Sequence, residues 1–230
     1  MTEPLIRPDW PAPAGVRAFT TTRALGDLRN GFDVLQSWLP AAPTRLEQVH
    51  GTTVAHLPLA DAGERPRADA AVTRRRGVVC MVLHADCLPV VLCNRAGDRV
   101  GVAHAGWRGL AAGVLEASVN VLGGEAGDLV AWLGPAIGPG AFEVGADVYE
   151  AFTRDDPGAA EAFTGDGPKW HADLYALARL RLGRAGVGAV HGGEFCTFRD
   201  AERFFSYRRD ARRDGASGGR MATCAWLEPA

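Results

Sequence analysis

Apolar residues fall along the chain in short runs rich in Val, Ala and Thr: 15–22 (GVRAFTTT), 44–57 (TRLEQVHGTTVAHL), 78–93 (VVCMVLHADCLPVVLC), 99–107, 129–133, 188–196 and 220–227 (RMATCAWL). Gly, Pro and Asp clusters separate them, a pattern that predicts strands. Helical spacing appears over 109–122, where Leu110, Val114, Leu115, Ser118, Val121 and Leu122 share one face up to Gly123-Gly124. Two further helices are expected at about 146–154 and 173–185. In the second, Asp173 caps the helix and Leu174, Leu177, Ala178 and Leu182 form its apolar face. Strands outnumber helices without strict alternation, which points to a mixed-sheet α/β (α+β) domain rather than a doubly wound one. No linker divides the chain, so 1–230 reads as one domain. Segment 154–169 reads as a surface excursion, and 134–140 (GPAIGPG) as a rigid loop too poor in N–H groups to cradle phosphate.

The turn Arg95-Ala96-Gly97-Asp98 lies between two of the β-rich runs and predicts an antiparallel hairpin. If Asn94 faces Arg99, paired residues sum to 193, and Cys87 and His104 become direct or diagonal neighbours within about 5–8 Å. Pro89 withholds a ladder donor and is expected to break or kink the strand near Cys87. Gly106 and Gly109 interrupt the pattern after His104. Reactive groups at strand breaks are what a site needs, because loops expose side chains that a rigid sheet positions.

Composition narrows the function classes. At 230 residues, 47% hydrophobic and 23% charged, the chain is an ordinary globular protein with no apolar run near the roughly 18 residues of a membrane span. A net charge of −2 argues against a dedicated nucleic-acid binder, although basic runs occur at Arg74–Arg76 and Tyr207–Arg213. The Pro-rich start MTEPLIRPDWPAPAG lacks a secretory pattern, so a cytoplasmic location and reduced thiols are expected. Cys80, Cys93 and Cys224 sit in apolar runs and read as core residues.

A thiol and an imidazole held together give either a nucleophile with a lowered pKa or two metal ligands. A third group decides between them; His50, His56, His84, Asp86, His171 and His191 are available. His50, at a strand end before Gly51, is the best placed. Cys plus two His suits zinc and leaves a fourth position open. Asp86 reads as a partner to a ligand His or as a turn former, and Trp107 as a packing residue before a purine stacker.

The motifs QVHG (48–51), ADCLPV (85–90), HAGWRG (104–109), LGPAIGPGAFEVG (133–145), CT (196–197), FFSYRRD (204–210) and GRMA (219–222) occur in one order. Together they resemble the YfiH-type laccase-domain family, also called multicopper polyphenol oxidases and purine nucleoside phosphorylases. The resemblance implies a single-domain sandwich with a mixed sheet and flanking helices, related to cysteine hydrolases. It implies zinc on His50, Cys87 and His104, phosphorolysis of adenosine, inosine, guanosine and methylthioadenosine, and deamination of adenosine. The N-terminal 1–43 is shortened relative to the family, keeping Arg23 but not the motifs that usually follow it. Arg23, Arg108 and Arg208 are candidates to hold phosphate, since a guanidinium binds it bidentately. Three alternatives stand beside this reading. The first is a metal-free amide hydrolase acting on a peptidoglycan precursor, with Cys87 as nucleophile and His104 as base. The others are a copper-dependent polyphenol oxidase, for which six histidines are few, and a non-enzymatic domain with a structural zinc.

Overall fold

Both faces of most strand-forming runs are apolar, a pattern that requires cover on each side of a sheet. A computed structural model describes residues 2–61, 63–165, 168–214 and 218–229, with only the backbone at 212–214. The described chain begins with β1 (Leu5–Ile6), β2 (Val16–Thr21), β3 (Val54–Leu57) and β4 (Ala70–Thr73). It continues through β5 (Val79–His84), β6 (Leu88–Asn94), β7 (Val100–Ala105), α1 (Trp107–Ala112), α2 (Val114–Leu122) and β8 (Leu129–Leu133). Then follow β9 (Glu143–Gly145), α3 (Ala146–Thr153), β10 (Phe163–Thr164), β11 (Lys169–Ala172), α4 (Leu174–Arg184), β12 (Ala189–Gly192), α5 (Tyr207–Asp214) and β13 (Met221–Leu227).

A six-stranded mixed sheet runs β12-β8-β6-β7-β4-β3, parallel at its two outer pairs and antiparallel within. A four-stranded antiparallel sheet, β1-β2-β13-β5, packs on one face of it. Cys80 and Val82 of β5, Ala225 and Leu227 of β13, and Val91, Cys93, Val102 and Trp132 of the larger sheet fill the space between them. Alternate residues of the same strands reverse direction. Leu88, Val90 and Leu92 of β6 face a helical layer of Leu110, Leu115, Leu122, Leu177 and Leu182. Val79, Met81 and Cys224 face Leu28 and Leu35 from the N-terminal segment. A small sheet, β10-β11-β9, flanks the helices. The molecule is therefore a mixed α+β sandwich in one domain, as the strand-rich pattern predicted. None of the described helices is long and apolar enough to cross a membrane.

The hairpin between β6 and β7 has the expected register, with Cys93 opposite Val100, Leu88 opposite Ala105 and Pro89 opposite His104. Asp173 caps α4, its carboxylate accepting from the Tyr175 and Ala176 N–H groups. The run 78–93 is two strands in different sheets. The chain crosses between them at Ala85–Cys87, and Asp86 makes the crossing in a left-handed conformation at φ 83°. Pro89 lies inside β6, so the break precedes it. Run 44–57 is strand only at 54–57, and the helix expected from 109 starts at Trp107 and is divided at Gly113, φ 100°. Segment 154–169 is not a surface excursion: Ala159, Ala162 and Phe163 are buried in the helix-side core, while 166–167 lie outside the described residues.

Candidate metal centre

Three backbone devices bring the reactive groups to one point. The β6–β7 register sets His104 beside the start of β6, and the crossing at 85–87 places Cys87 immediately before that strand. His50 arrives from a separate turn in which it adopts φ 60°, a conformation that costs a non-Gly residue about 1 kcal/mol or more and is held by its surroundings. One ligand atom from each of His50, Cys87 and His104 lies within 4.8 Å of the others. Cys87 Sγ is 3.9 Å from His50 Nε2, and the two imidazoles meet edge to face at 4.9 Å between centroids. His104 is buried, Cys87 half-buried and His50 exposed. The three donors could hold a metal ion with one side open to solvent.

Asp69, fully buried immediately before β4, governs this corner. Its Oδ1 accepts from His104 Nδ1 at 2.9 Å and from the His50 N–H at 2.9 Å. Its Oδ2 accepts from the Val49 and Gly51 N–H groups at 3.1 and 2.7 Å. Burial alone would raise its pKa, but the His104 hydrogen bond and these amides hold it below the ordinary carboxylate value. Sequence reading missed Asp69, since an Asp in RADAAV resembles a loop residue. The role foreseen for Asp86 belongs to Asp69 instead: Asp86 accepts from Thr197 Oγ1, Ser206 Oγ and the Arg208 N–H, tying three distant segments to the crossing.

The electrostatics separate Cys87 from the other thiols. Burial disfavours its thiolate, yet the charge and hydrogen bond of His104, then those of His50, bring its pKa down to about 6. Burial likewise opposes the His104 cation, and the Cys87 thiolate and Asp69 raise it to about 9. Burial pushes Cys93 up to about 12 and raises Cys80 and Cys224 further, as befits core thiols. His84, His56, His171 and His191 do not join the cluster. His84 is buried, with Nε2 against Thr223 Oγ1, and burial followed by repulsion from His104 and Arg220 lowers its pKa to about 3.

The donors lie in a cavity of about 650 Å³ whose lining includes Arg29, Arg45, Arg65, Arg108, Arg208 and Arg220. Among the described residues Asp86 is the one carboxylate of that lining, and its oxygens are already engaged. Trp107, Phe142 and Tyr207 add aromatic surface.

Residues 29–228 match the family described as multi-copper polyphenol oxidoreductase laccase. The chain belongs to that family. A purine nucleoside phosphorylase of Pseudomonas aeruginosa is 47% identical over 245 residues, spanning 97% of this chain and 98% of the relative. Purine nucleoside phosphorylase YfiH of Escherichia coli is 45% identical with the same coverage. Among solved structures, the Neisseria meningitidis protein NMB0706 superposes with a TM-score of 0.91 at 43% identity, covering 99% of this chain and 100% of its own. YlmD from Geobacillus stearothermophilus gives 0.85 at 26%, covering 100% and 98%.

Against this laccase-family frame the three foreseen arginines separate. Arg108 is exposed on the cavity wall, its guanidinium 4.4 Å over the Trp107 ring, while Trp107 both packs on the core and faces the cavity. Arg208 lines the cavity too, donating to Glu143 O at 2.9 Å and lying over Phe142. Arg23 is not in the lining: its guanidinium donates to Ala201 O at 2.6 Å and lies over Phe205. The arginines at 29, 45 and 65 were unforeseen, because isolated cations in irregular segments carry no periodic signal, and Arg220 was quoted only as part of the GRMA motif, with no role. The side chains of Arg212 and Arg213, the end of the basic run from Tyr207, lie outside the described residues.

Proposed function

We propose that this laccase-family member is a zinc-dependent purine nucleoside phosphorylase acting on adenosine, inosine, guanosine and methylthioadenosine, and that it also deaminates adenosine. One observation carries the reading: a Cys/His/His donor set sits in a cavity whose described lining includes six guanidiniums and one carboxylate, itself already satisfied. An anionic co-substrate such as phosphate suits that wall, and the names of the bacterial relatives agree with it.

The donor set fits zinc. Asp69 holds His104 Nδ1, which leaves Nε2 as the ligand atom, and Gly106 closes the opposite side, where a Cβ would come within 2.8 Å of His50 Cδ2 and 3.0 Å of Cys87 Sγ. Among the described residues no methionine lines the cavity to act as the axial ligand of a blue-copper site. When bound there, zinc supplies Lewis acidity and lowers the pKa of coordinated water. The chain's own groups do the rest. Arg108 and Arg208 hold phosphate, and Trp107, Phe142 and Tyr207 offer faces for the purine. A phosphate oxygen then bonds to C1′ as the C1′–N9 bond breaks; the purine leaves with the electron pair and takes up a proton. The guanidiniums balance the charge of the anionic nucleophile beside the oxocarbenium-like sugar.

A second reading has its own support: Cys87, His104 and Asp69 form a Cys–His–Asp line with a lowered thiol, the arrangement of a metal-free amide hydrolase. Purified protein separates the two. Bound metal is quantified, and inosine phosphorolysis and adenosine deamination are followed in wild type, His50→Ala and Cys87→Ala. The zinc reading expects near-stoichiometric metal and a roughly 10³-fold loss of turnover in both variants, the several kcal/mol that such a centre contributes. Full activity in His50→Ala with a dead Cys87→Ala would overturn the zinc reading and leave Cys87 acting with His104 and no metal.

A further inference from the structure

We propose that Asp69 is the positioning residue of the centre, one carboxylate that sets both histidines at once. The inference rests on His50, Cys87 and His104 holding zinc. Its geometry is specific. Successive amides at Val49, His50 and Gly51 converge on one point, the concave arrangement that binds anions, and the protein fills it with its own carboxylate. That grip holds the turn in which His50 has φ 60°. The same carboxylate accepts from His104 Nδ1, which fixes the ring orientation and leaves Nε2 as the nitrogen available to a metal, and the Asp69 carbonyl accepts from the His104 N–H at 2.7 Å. Gly109 supports the turn from the other side, where a Cβ would come within 2.9 Å of Gly51 O. Two of the three ligands, from segments more than 50 residues apart in sequence, are therefore registered against each other through a single side chain.

An amide cannot replace that carboxylate in either orientation. With the Asn oxygen in place of Oδ1, the NH2 group faces the Val49 and Gly51 N–H donors and the turn is released. Flipped, it faces the His50 N–H and His104 Nδ1, and the favoured His104 tautomer puts a proton on the ligand nitrogen.

The test uses the full chain. Zinc affinity is measured by competition with a chelator for wild type, Asp69→Asn, Asp69→Glu and Thr73→Val. Amide hydrogen exchange at residues 49–51 is measured on the metal-free proteins. Thr73, buried on β4, the strand that follows Asp69, with its hydroxyl donating to Leu57 O at 2.9 Å, is the control for a purely structural loss. Asp69→Asn is expected to bind zinc about 10–100-fold more weakly and to lose protection at the three amides. Asp69→Glu keeps the charge and retains part of both, whereas Thr73→Val melts earlier with unchanged zinc affinity. Wild-type affinity or undiminished amide protection in Asp69→Asn overturns the inference, as does an equal loss of affinity in Thr73→Val. Should Asp69→Asn fail to fold, Asp69→Glu decides by the same two readouts, wild-type values in it overturning the inference. A wild-type protein that takes no zinc refutes the metal reading instead, and the amide exchange still decides whether Asp69 sets the 49–51 turn.

Discussion

On the floor of the cavity the chemistry is fixed by backbone: His50 and Asp86 sit in left-handed conformations, Asp69 gathers three amides and an imidazole, and Gly106 leaves no room for a methyl group. On the wall the charges ride on long side chains from scattered segments, with Arg108 over Trp107, Arg45 over Phe32 and Arg65 exposed. A backbone-fixed floor pre-organises donors for one chemistry, whereas flexible guanidiniums adapt to the shape and charge of what enters. Substitutions on the floor are therefore expected to act together and to damage the centre itself. Those on the wall should change binding, one arginine at a time.

The largest contrast expected is among the thiols. In metal-free protein at neutral pH, Cys87 is mostly thiolate, with its pKa at about 6, while burial pushes Cys93 up to about 12 and Cys80 and Cys224 higher. Alkylation followed by peptide mapping should favour Cys87 by roughly 10³-fold, rise between pH 5 and 7, level off, and be blocked by zinc. The same pair shapes stability. Cys87 is lowered, so its contribution is complete above the ordinary thiol value and is lost as pH falls through about 6. His104 is raised, so its contribution is complete below the ordinary imidazole value and is lost as pH rises through about 9. Between those limits the two slopes oppose each other, so thermal melts of metal-free protein should be nearly level there.

Gly106→Ala comes next. Its methyl would press on His50 and Cys87 together, and overpacking costs of about 1–3 kcal/mol translate into a tenfold to hundredfold loss of zinc affinity. Gly101→Ala is the matched test on β7, where the methyl would come within 2.7 Å of Val72 Cγ1, away from the donors. It should lower the melting temperature and leave zinc affinity unchanged. Equal losses of affinity in both would erase the distinction between floor and scaffold.

The two parts of the cavity also differed in how far sequence could reveal them. The Cys87–His104 approach was legible because a four-residue turn fixes a hairpin register locally, and the observed pairs sum to 193. The break near Cys87 was legible from Pro89, but that β5 and β6 belong to different sheets was hidden, since both faces of both strands are buried and no polar alternation marks the change of sheet. Asp69 was hidden because its partners lie 18 to 35 residues away. The wall was hidden for a related reason: Arg29, Arg45 and Arg65 come from irregular segments, where neither a period of 2 nor one of 3.6 operates. Arg23, carried by resemblance, turns instead to Ala201 O and Phe205.

The smallest effect expected tests the wall. Arg108 makes no salt bridge among the described residues, and its guanidinium stacks on Trp107 at the mouth of the cavity. Removing an exposed, charge-assisted contact to phosphate costs about 1.4 kcal/mol, so Arg108→Ala should raise the phosphate KM about tenfold while kcat stays within about twofold. That split marks an interaction made equally in ground and transition states. Arg108→Lys should recover little, because an ammonium reproduces neither the planar fork nor the stacking on indole. A fall in kcat at unchanged KM would instead place Arg108 among the groups that act on the developing charge, and the line between floor and wall would have to be redrawn to include it.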